Sequence, residues 1–199
     1  MIKRLFDVVV SFFGLLLVSP ILLLAAIAIK LDSKGPVFFT QERVGRHFRP
    51  FHILKFRSMT QRPATSSLQI TVAGDPRVTR VGRILRRSKL DELPQLFNVL
   101  RGDMSLVGPR PEVRKYVELF HSEYEEILKC RPGITDLASI RYRDEERVLA
   151  AASDPEREYV ERVLPEKIRL AKEYVRRSSF RSDLEVLLMT LLKVTSPGK

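Results

Sequence analysis

Residues Leu5 to Ile29 read LFDVVVSFFGLLLVSPILLLAAIAI, apolar apart from Asp7, Ser11, Gly14 and Ser19, with Pro20 near the middle. About 20 such residues cover the hydrocarbon of a bilayer, so any fold must either bury this run or leave it against lipid. A cleavable signal peptide matches poorly, because the run is too long and no small-residue cleavage site follows Ile29 before Lys30. Proline removes a backbone hydrogen bond and clashes with the preceding turn, so Ser19-Pro20 predicts a helix bent or broken at its centre. Lys3 and Arg4 precede the run, and Lys30, Lys34, Arg43 and Arg46 follow it. Basic residues on both flanks favour the cytoplasmic side for both ends. On these residues alone, a spanning helix and a helix that enters and leaves by one face both stay open.

The 199 residues suffice for one domain with a real core. A formal charge of +11 predicts an anionic partner, whether nucleic acid, anionic lipid or a phosphorylated substrate. The single cysteine, Cys130, excludes an internal disulfide and a thiolate zinc cluster, fits a reducing compartment and reads as a core residue. His47, His52 and His121 lack HExxH spacing, and neither GxxxxGK[ST] nor GxGxxG occurs, so the common zinc and nucleotide signatures are excluded.

After the apolar run, Val37 to Phe39 and Phe51 to Phe56 predict a short hairpin with Gly45 in its turn. Arg62 to Gly74, small and polar, predicts a mobile loop. Arg77, Arg80, Arg83 and Arg86 recur every third residue, a spacing that on a helix or tight turn lines up guanidinium groups or simply makes a solvated basic face. In KLDELPQL, Asp91 suits the cap of a helix with Glu92 and Pro94 in its first turn, ending at Gly102, which sets two carboxylates at the positive end of the helix dipole. Arg110 lies between Pro109 and Pro111, so its backbone is held extended and its fork can be aimed at an oxyanion. KCRPGITDLASI reads as a turn followed by an apolar extended stretch, with Arg141 and Arg143 beyond it. Helical patterns cover Val113 to Leu128 and Pro155 to Arg177, the second broken or bent at Pro165. Leu184, Leu187, Leu188, Leu191 and Leu192 share a helical face suited to core or lipid.

A membrane-embedded segment, arginines among phosphate-binding spacings and an adjacent carboxylate pair together point to phosphate chemistry at a membrane surface. A carboxylate is a competent nucleophile toward phosphorus, and Asp and Glu oxygens suit Mg²⁺, which with Arg or Lys neutralises a transferring phosphoryl group.

The stretch RVGRILRRSKLDELPQLFNVLRGDMSLVGPRPE, with KFRSM upstream and RPGIT downstream, resembles the signature of the monotopic phosphoglycosyl transferases, a bacterial sugar transferase family, in its minimal catalytic-domain form. The resemblance covers essentially the entire chain. It implies an α+β, mainly helical fold: a re-entrant membrane helix over residues 1–34 with a Ser19-Pro20 break, then one catalytic unit over 35–199 with a short hairpin and amphipathic interface helices. It implies transfer of sugar 1-phosphate from a UDP-sugar to polyprenyl (undecaprenyl) phosphate with release of UMP, by ping-pong kinetics, at the cytoplasmic face of the bacterial inner membrane. By the same resemblance, Asp91 attacks and carries the phosphosugar, Glu92 helps hold Mg²⁺ or assists the acceptor step, and Asp91 and Glu92 are the expected metal ligands. Lys55 and Asp183 match positions needed for activity, Arg86 and Arg110 match phosphate-binding positions, and Arg143 is expected near the nucleotide. The partners implied are the UDP-sugar, undecaprenyl phosphate and membrane lipid, without nucleic acid and with a homodimer left open. The sequence departs from the common pattern after RPGIT, where Asp136, Leu137 and Arg141-Tyr142-Arg143 stand in place of a Gly-Trp and Asn-Gly-Arg run.

A rival is a non-enzymatic, membrane-tethered basic module that binds anionic lipid or nucleic acid. It explains the charge but gives the acidic pair no task, and aromatic content of 8% without tryptophan is sparse for a single-strand binder. A second rival keeps the chemistry but uses a substrate unrelated to sugars.

Overall fold

In a computed structural model the chain is described over residues 2–60 and 70–195; most of the loop expected over Arg62 to Gly74 lies outside the described residues. The apolar run forms helix α1, Ile2–Asp32. It runs through Pro20 without interruption, so the expected Ser-Pro break does not divide it into two helices. A proline at position 20 leaves the carbonyl of residue 16 without its amide partner, and the Ser19 hydroxyl donates to that carbonyl, Leu16 O, at 2.8 Å. The serine thus replaces the bond that its neighbour removes.

Asp7, Ser11 and Leu15, then Ala25 and Ile29, form a buried stripe at four-residue spacing along α1. The opposite face stays apolar and exposed, through Phe13, Leu17, Leu24 and Leu31. Next come strands β1 (Phe38–Val44) and β2 (Pro50–Phe56), antiparallel with Phe38 opposite Phe56 and Val44 opposite Pro50. This is the expected hairpin with a longer first strand. A 3₁₀ turn over Arg46–Phe48 closes it. Helix α2, Arg80–Arg87, is capped by Thr79, whose hydroxyl accepts from Gly82 N at 2.9 Å. Helix α3, Gln95–Arg101, ends at Gly102 in the left-handed region with φ 96°, as its sequence predicted.

Strands β3 (Ser105–Val107) and β4 (Gly133–Thr135) pair in parallel, Ser105 beside Gly133 and Val107 beside Thr135. Between them, the expected helix splits at Phe120 into α4 (Arg114–Leu119) and α5 (His121–Ile127). Short helices α6 (Leu137–Arg141), α7 (Glu145–Ala150) and α8 (Pro155–Glu158) follow. A π turn over Tyr159–Val163 then leads into α9, Leu164–Arg177. The irregularity expected at Pro165 takes the form of this widened turn just ahead of it. Helix α10, Phe180–Thr195, closes the described chain.

The largest core cluster joins Val113, Tyr116, Tyr124, Ile127, Leu149, Tyr159, Leu164 and Ile168, from α4 through α9. Cys130 sits at its edge, half-buried with its thiol on Ile127 O at 3.3 Å, rather than in the core. The buried Asn98 of α3 accepts from Leu54 N at 2.9 Å and donates to His52 O at 2.8 Å, which pins α3 to β2.

Both ends of α1 are fastened to this same body. Near its start, Lys3 donates to Val107 O and to Tyr174 Oη, each at 2.9 Å. Arg4 caps the end of α3 through Val99 O at 2.7 Å and Leu100 O at 3.1 Å. Asp7 accepts from Ser105 Oγ at 2.8 Å and Leu106 N at 3.2 Å. At its far end, Arg57 donates to Ser33 O at 2.7 Å and Lys34 O at 2.8 Å, and Asp32 accepts from Val81 N at 3.1 Å.

Helix α2 lies so close to the end of β2 that a Cβ on Gly82 would stand 2.0 Å from Ser58 O, a backbone atom. Gly82→Ala is therefore expected to cost about 1–3 kcal/mol through overpacking, read as a fall of roughly 2–4 °C in melting temperature per kcal/mol. Ile84→Ala, at an exposed position of the same helix, is expected to stay within about 0.5 kcal/mol.

Candidate active site

The carboxylate pair lies in a 3₁₀ turn, Leu90–Glu92, entered through Lys89 in the left-handed region at φ 58°. Helix α3 begins after it, with Pro94 rather than Asp91 at its N-cap, so the expected Asp91 cap is not formed. The dyad instead occupies the turn leading into α3, and the two side chains face different surroundings.

Glu92 Oε1 accepts from Lys55 Nζ at 2.8 Å and from an Arg110 nitrogen at 2.5 Å, while Oε2 accepts from the other Arg110 nitrogen at 3.3 Å. Lys55 comes from β2, and Arg110 from the Pro109-Arg110-Pro111 segment after β3. Pro109 and Pro111 are both buried, and Arg110 N donates to Asp136 Oδ2 at 3.2 Å. The same Asp136 caps α6 through Ser139 N at 2.7 Å. The proline frame thus aims Arg110 as expected, but at a carboxylate of its own chain.

Asp91 is 6% exposed, and its Oδ1 is buried without a hydrogen-bond partner. Burial, and after it the charge of Glu92, push the Asp91 carboxyl above its ordinary range, against the pull of Lys55, Arg86 and Lys89. Burial acts upward on Glu92 too, but Arg110 and then Lys55 outweigh it and hold Glu92 well below the usual range. Burial lowers the Lys55 ammonium, with Glu92 opposing. Glu92 carries the paired negative charge, and Asp91 is the more basic of the two carboxylates.

Of the four regularly spaced arginines, Arg86 is the one whose charge acts among the leading influences on Asp91. Arg77 forks onto Asp75, with contacts from 2.6 to 3.1 Å. Arg80 and Arg83 are exposed. The guanidinium row is therefore not one array, because Arg77 precedes the helix and three-residue steps drift around it. Arg86 donates to Glu146 of α7 and to Ser58 Oγ at 3.4 Å.

A cleft of about 260 Å³ adjoins Glu92, while Asp91, Lys55 and Arg86 lie behind its wall and are not among its lining residues. Glu92, Arg110 and Arg143 line it together with Leu93, Leu96, Ile134 and Ile140, and Thr190 and Lys193 of α10 form one wall. Arg143 reaches that wall and donates to Lys193 O. Asp183 is not among the groups lining the cleft. It is buried against Lys3 at 2.5 Å and Tyr174 Oη at 2.6 Å, joining α10 to α1 and α9. Ser19 and Pro20 act within α1, away from the dyad.

Glu146 and Lys89 also face the cleft and were not singled out in the sequence. Glu146 sits in a charged run, DEER, without a motif of its own, and only a contact with Arg86, 60 positions away, marks it. Among the described residues no cluster of three or more metal-ligating side chains forms. The dyad fits Mg²⁺ in donor chemistry. Asp91 Oδ1 is buried and has no donor, so it is the oxygen of the dyad left without a partner, whereas both Glu92 oxygens are engaged by cations.

Comparison with known proteins adds the following. The family model for bacterial sugar transferases matches residues 1–197. The chain is 49% identical over 144 residues to a UDP-N-acetylgalactosamine-undecaprenyl-phosphate N-acetylgalactosaminephosphotransferase of Aeromonas hydrophila, covering 70% of this chain and 34% of that protein. It is 43% identical over 196 residues to an undecaprenyl-phosphate glucose phosphotransferase of Komagataeibacter xylinus, covering 95% and 35%. It is 39% identical over 197 residues to a UDP-glucose:undecaprenyl-phosphate glucose-1-phosphate transferase of Escherichia coli K12, covering 97% and 40%. The chain thus spans between a third and two-fifths of the length of these relatives.

With its carboxyl raised, Asp91 gains its proton as pH falls while Glu92 is still ionised. In a ¹³C NMR titration of the carboxyls, Asp91 is expected to titrate above the ordinary aspartate value of roughly 3.9. Glu92→Gln removes the neighbouring charge and releases Lys55 and Arg110, so the Asp91 midpoint is expected to move down; an upward move would contradict the assigned causes.

Proposed function

The chain belongs to the bacterial sugar transferase family, and on that premise we propose that it transfers a sugar 1-phosphate from a UDP-sugar to undecaprenyl phosphate, with Asp91 as the nucleophile. The observation that carries this reading is the asymmetry of the dyad. Glu92 is neutralised by Lys55 and Arg110, while Asp91 keeps a buried oxygen with no partner and raised basicity. A more basic carboxylate is the better nucleophile, and the cations that face the adjoining cleft, among them Lys89, Arg110 and Arg143, favour an incoming phosphate.

In the first half-reaction an Asp91 oxygen bonds to the sugar-bearing phosphorus, the bond from that phosphorus to the bridging oxygen breaks, and UMP leaves with the electron pair. In the second, an oxygen of the polyprenyl phosphate attacks the same phosphorus and the Asp91 carboxylate is released. Splitting the transfer this way gives ping-pong kinetics. Arg86 and Arg110 balance the phosphate charge, Lys55 keeps Glu92 ionised and in place, and Arg143 flanks the nucleotide end. Mg²⁺ held by Asp91, and by Glu92 once it gives up one of its cations, would supply further neutralisation of the phosphoryl oxygens. Asp183, tied to Lys3 and Tyr174, acts as a positioning residue that fixes α10 against α1.

We also propose a monotopic arrangement on the cytoplasmic face, with both ends of α1 on one side of the bilayer. Its support is that Lys3, Arg4 and Asp7 at one end and Asp32 and Lys34 at the other bind the same body. A perpendicular crossing would draw those charged contacts into hydrocarbon, at a cost of several kcal/mol each. The outward leucines of α10 extend the apolar surface beside the cleft wall that Thr190 and Lys193 form, which suits an acceptor whose tail stays in lipid.

Asp91→Asn is expected to lower UMP release by about 10³-fold or more with membrane association retained. Intact-mass analysis after exposure to donor alone should show a phosphosugar adduct in the unmodified chain and none in Asp91→Asn; an adduct on another residue would refute the assignment.

In a Cys130→Ala background, cysteines at Ile2 and Lys34 are expected to react with an impermeant maleimide from the cytoplasmic side only. Labelling of the two from opposite sides would overturn the monotopic arrangement.

A further inference from the structure

One ion pair beside the dyad has no part in the proposed reaction. Arg86, at the end of α2, donates to the carboxylate of Glu146 on α7, and Glu146 lines the cleft with Glu92 and Arg110. The Glu146 side chain is 43% exposed and that of Arg86 21%. Arg86 Nε is buried without a hydrogen-bond partner. The guanidinium is therefore only partly satisfied: one nitrogen meets Glu146, another meets Ser58 Oγ at the long distance of 3.4 Å, and the third donor stands idle.

We propose that the Glu146 carboxylate is a built-in stand-in for a phosphate of the nucleoside diphosphate at Arg86, which the incoming donor displaces, so that Glu146 sets donor affinity. The inference rests on the reading of the cleft given above and goes beyond it by naming a residue that competes with substrate. A planar guanidinium pairs best with two oxygens at once, through Nε and one terminal nitrogen. A phosphate, with more charge and more oxygens than Glu146, answers that need. Little else has to move. Glu145, next in the same turn, holds Lys167 Nζ at 2.9 Å, and the Glu146 carbonyl accepts Ala73 N at 2.9 Å. The α7 backbone stays anchored while the half-exposed Glu146 side chain swings to solvent.

A half-exposed ion pair of this kind reduces the affinity of a competing anion by about two- to fivefold. Glu146→Gln is thus expected to tighten binding of UDP to the full chain in detergent micelles by that factor, measured by titration calorimetry. It should lower KM for the donor with kcat little changed. Glu146→Asp, one methylene shorter, should fall between the two and serves where Gln perturbs folding. Arg86→Ala is the reference: it should weaken UDP binding, and in its background Glu146→Gln should have no effect. If Arg86→Ala weakens binding while Glu146→Gln and Glu146→Asp leave it unchanged or weaker, Glu146 supports Arg86 rather than competes for it, and the inference is overturned with the cleft reading intact. If Arg86→Ala binds UDP like the unmodified chain, the phosphate role of Arg86 fails, and the inference goes with it.

Discussion

Two cations on one half-buried carboxylate set the character of this chain. Each contact of Glu92 with Lys55 or Arg110, at 2.5–2.8 Å, carries roughly 6 kcal/mol of attraction at an effective dielectric of about 20. Against that stand several kcal/mol of desolvation per ion. The net stability is small, but the effect on charge placement is large. Because Glu92 holds both cations, Asp91 one residue earlier is left buried, beside a negative neighbour and without a donor on Oδ1. Exchanging the two residues' surroundings would exchange their roles. The geometry of the 3₁₀ turn, which points successive side chains in different directions, is therefore a chemical device as much as a structural one.

The same logic explains a buried aspartate in an apolar helix. Asp7 would be costly against lipid, yet its two oxygens are met by Ser105 Oγ and Leu106 N, at the start of the strand that leads to Pro109-Arg110-Pro111. Lys3 meets Val107 O on that strand and also Asp183. Helix α1 is thus part of the scaffold that carries Arg110 to Glu92. On the function and monotopic arrangement proposed above, catalytic geometry and attachment to lipid share one set of contacts, and loosening α1 would disturb both.

Much of this was legible in local sequence. The hairpin, the Gly102 stop and the framing of Arg110 each follow from one or two residues whose backbone preferences are strong. The misreadings arose where a neighbour changed the cost of a residue. Pro20 signals a break when weighed alone, but the hydroxyl of Ser19 supplies the missing donor. Asp91 looks like a cap until Lys89 adopts a positive φ and starts a separate turn ahead of α3. For the arginine repeat, where the sequence left an array and a solvated face both open, the solvated face holds at the exposed Arg80 and Arg83, and Asp75 claims Arg77. Glu146 could not be found from its surroundings in sequence at all, since its meaning lies in a partner from another helix. The dyad itself was readable as a pair, whereas the division of labour within it depends on which of two adjacent carboxylates the fold gives to Lys55.

The position of α10 connects these pieces. One side of this helix bears Val186 in the core and Thr190 and Lys193 on the cleft wall. Its other side exposes Leu184, Leu188, Leu191 and Leu192. Thr190 Oγ1 lies 2.7 Å from Thr135 Oγ1 at the end of β4, and Arg143 holds Lys193 O. On the proposed function, a lipid-anchored phosphate approaching along the apolar side has to cross only the width of one helix to meet Arg110 and Glu92. An α-helix with its side chains is about 10 Å across, far less than the length of a polyprenyl tail. The reacting phosphorus can therefore be reached without lifting that tail out of the membrane, provided the catalytic body rests on the bilayer by the same face that α1 and α10 leave apolar.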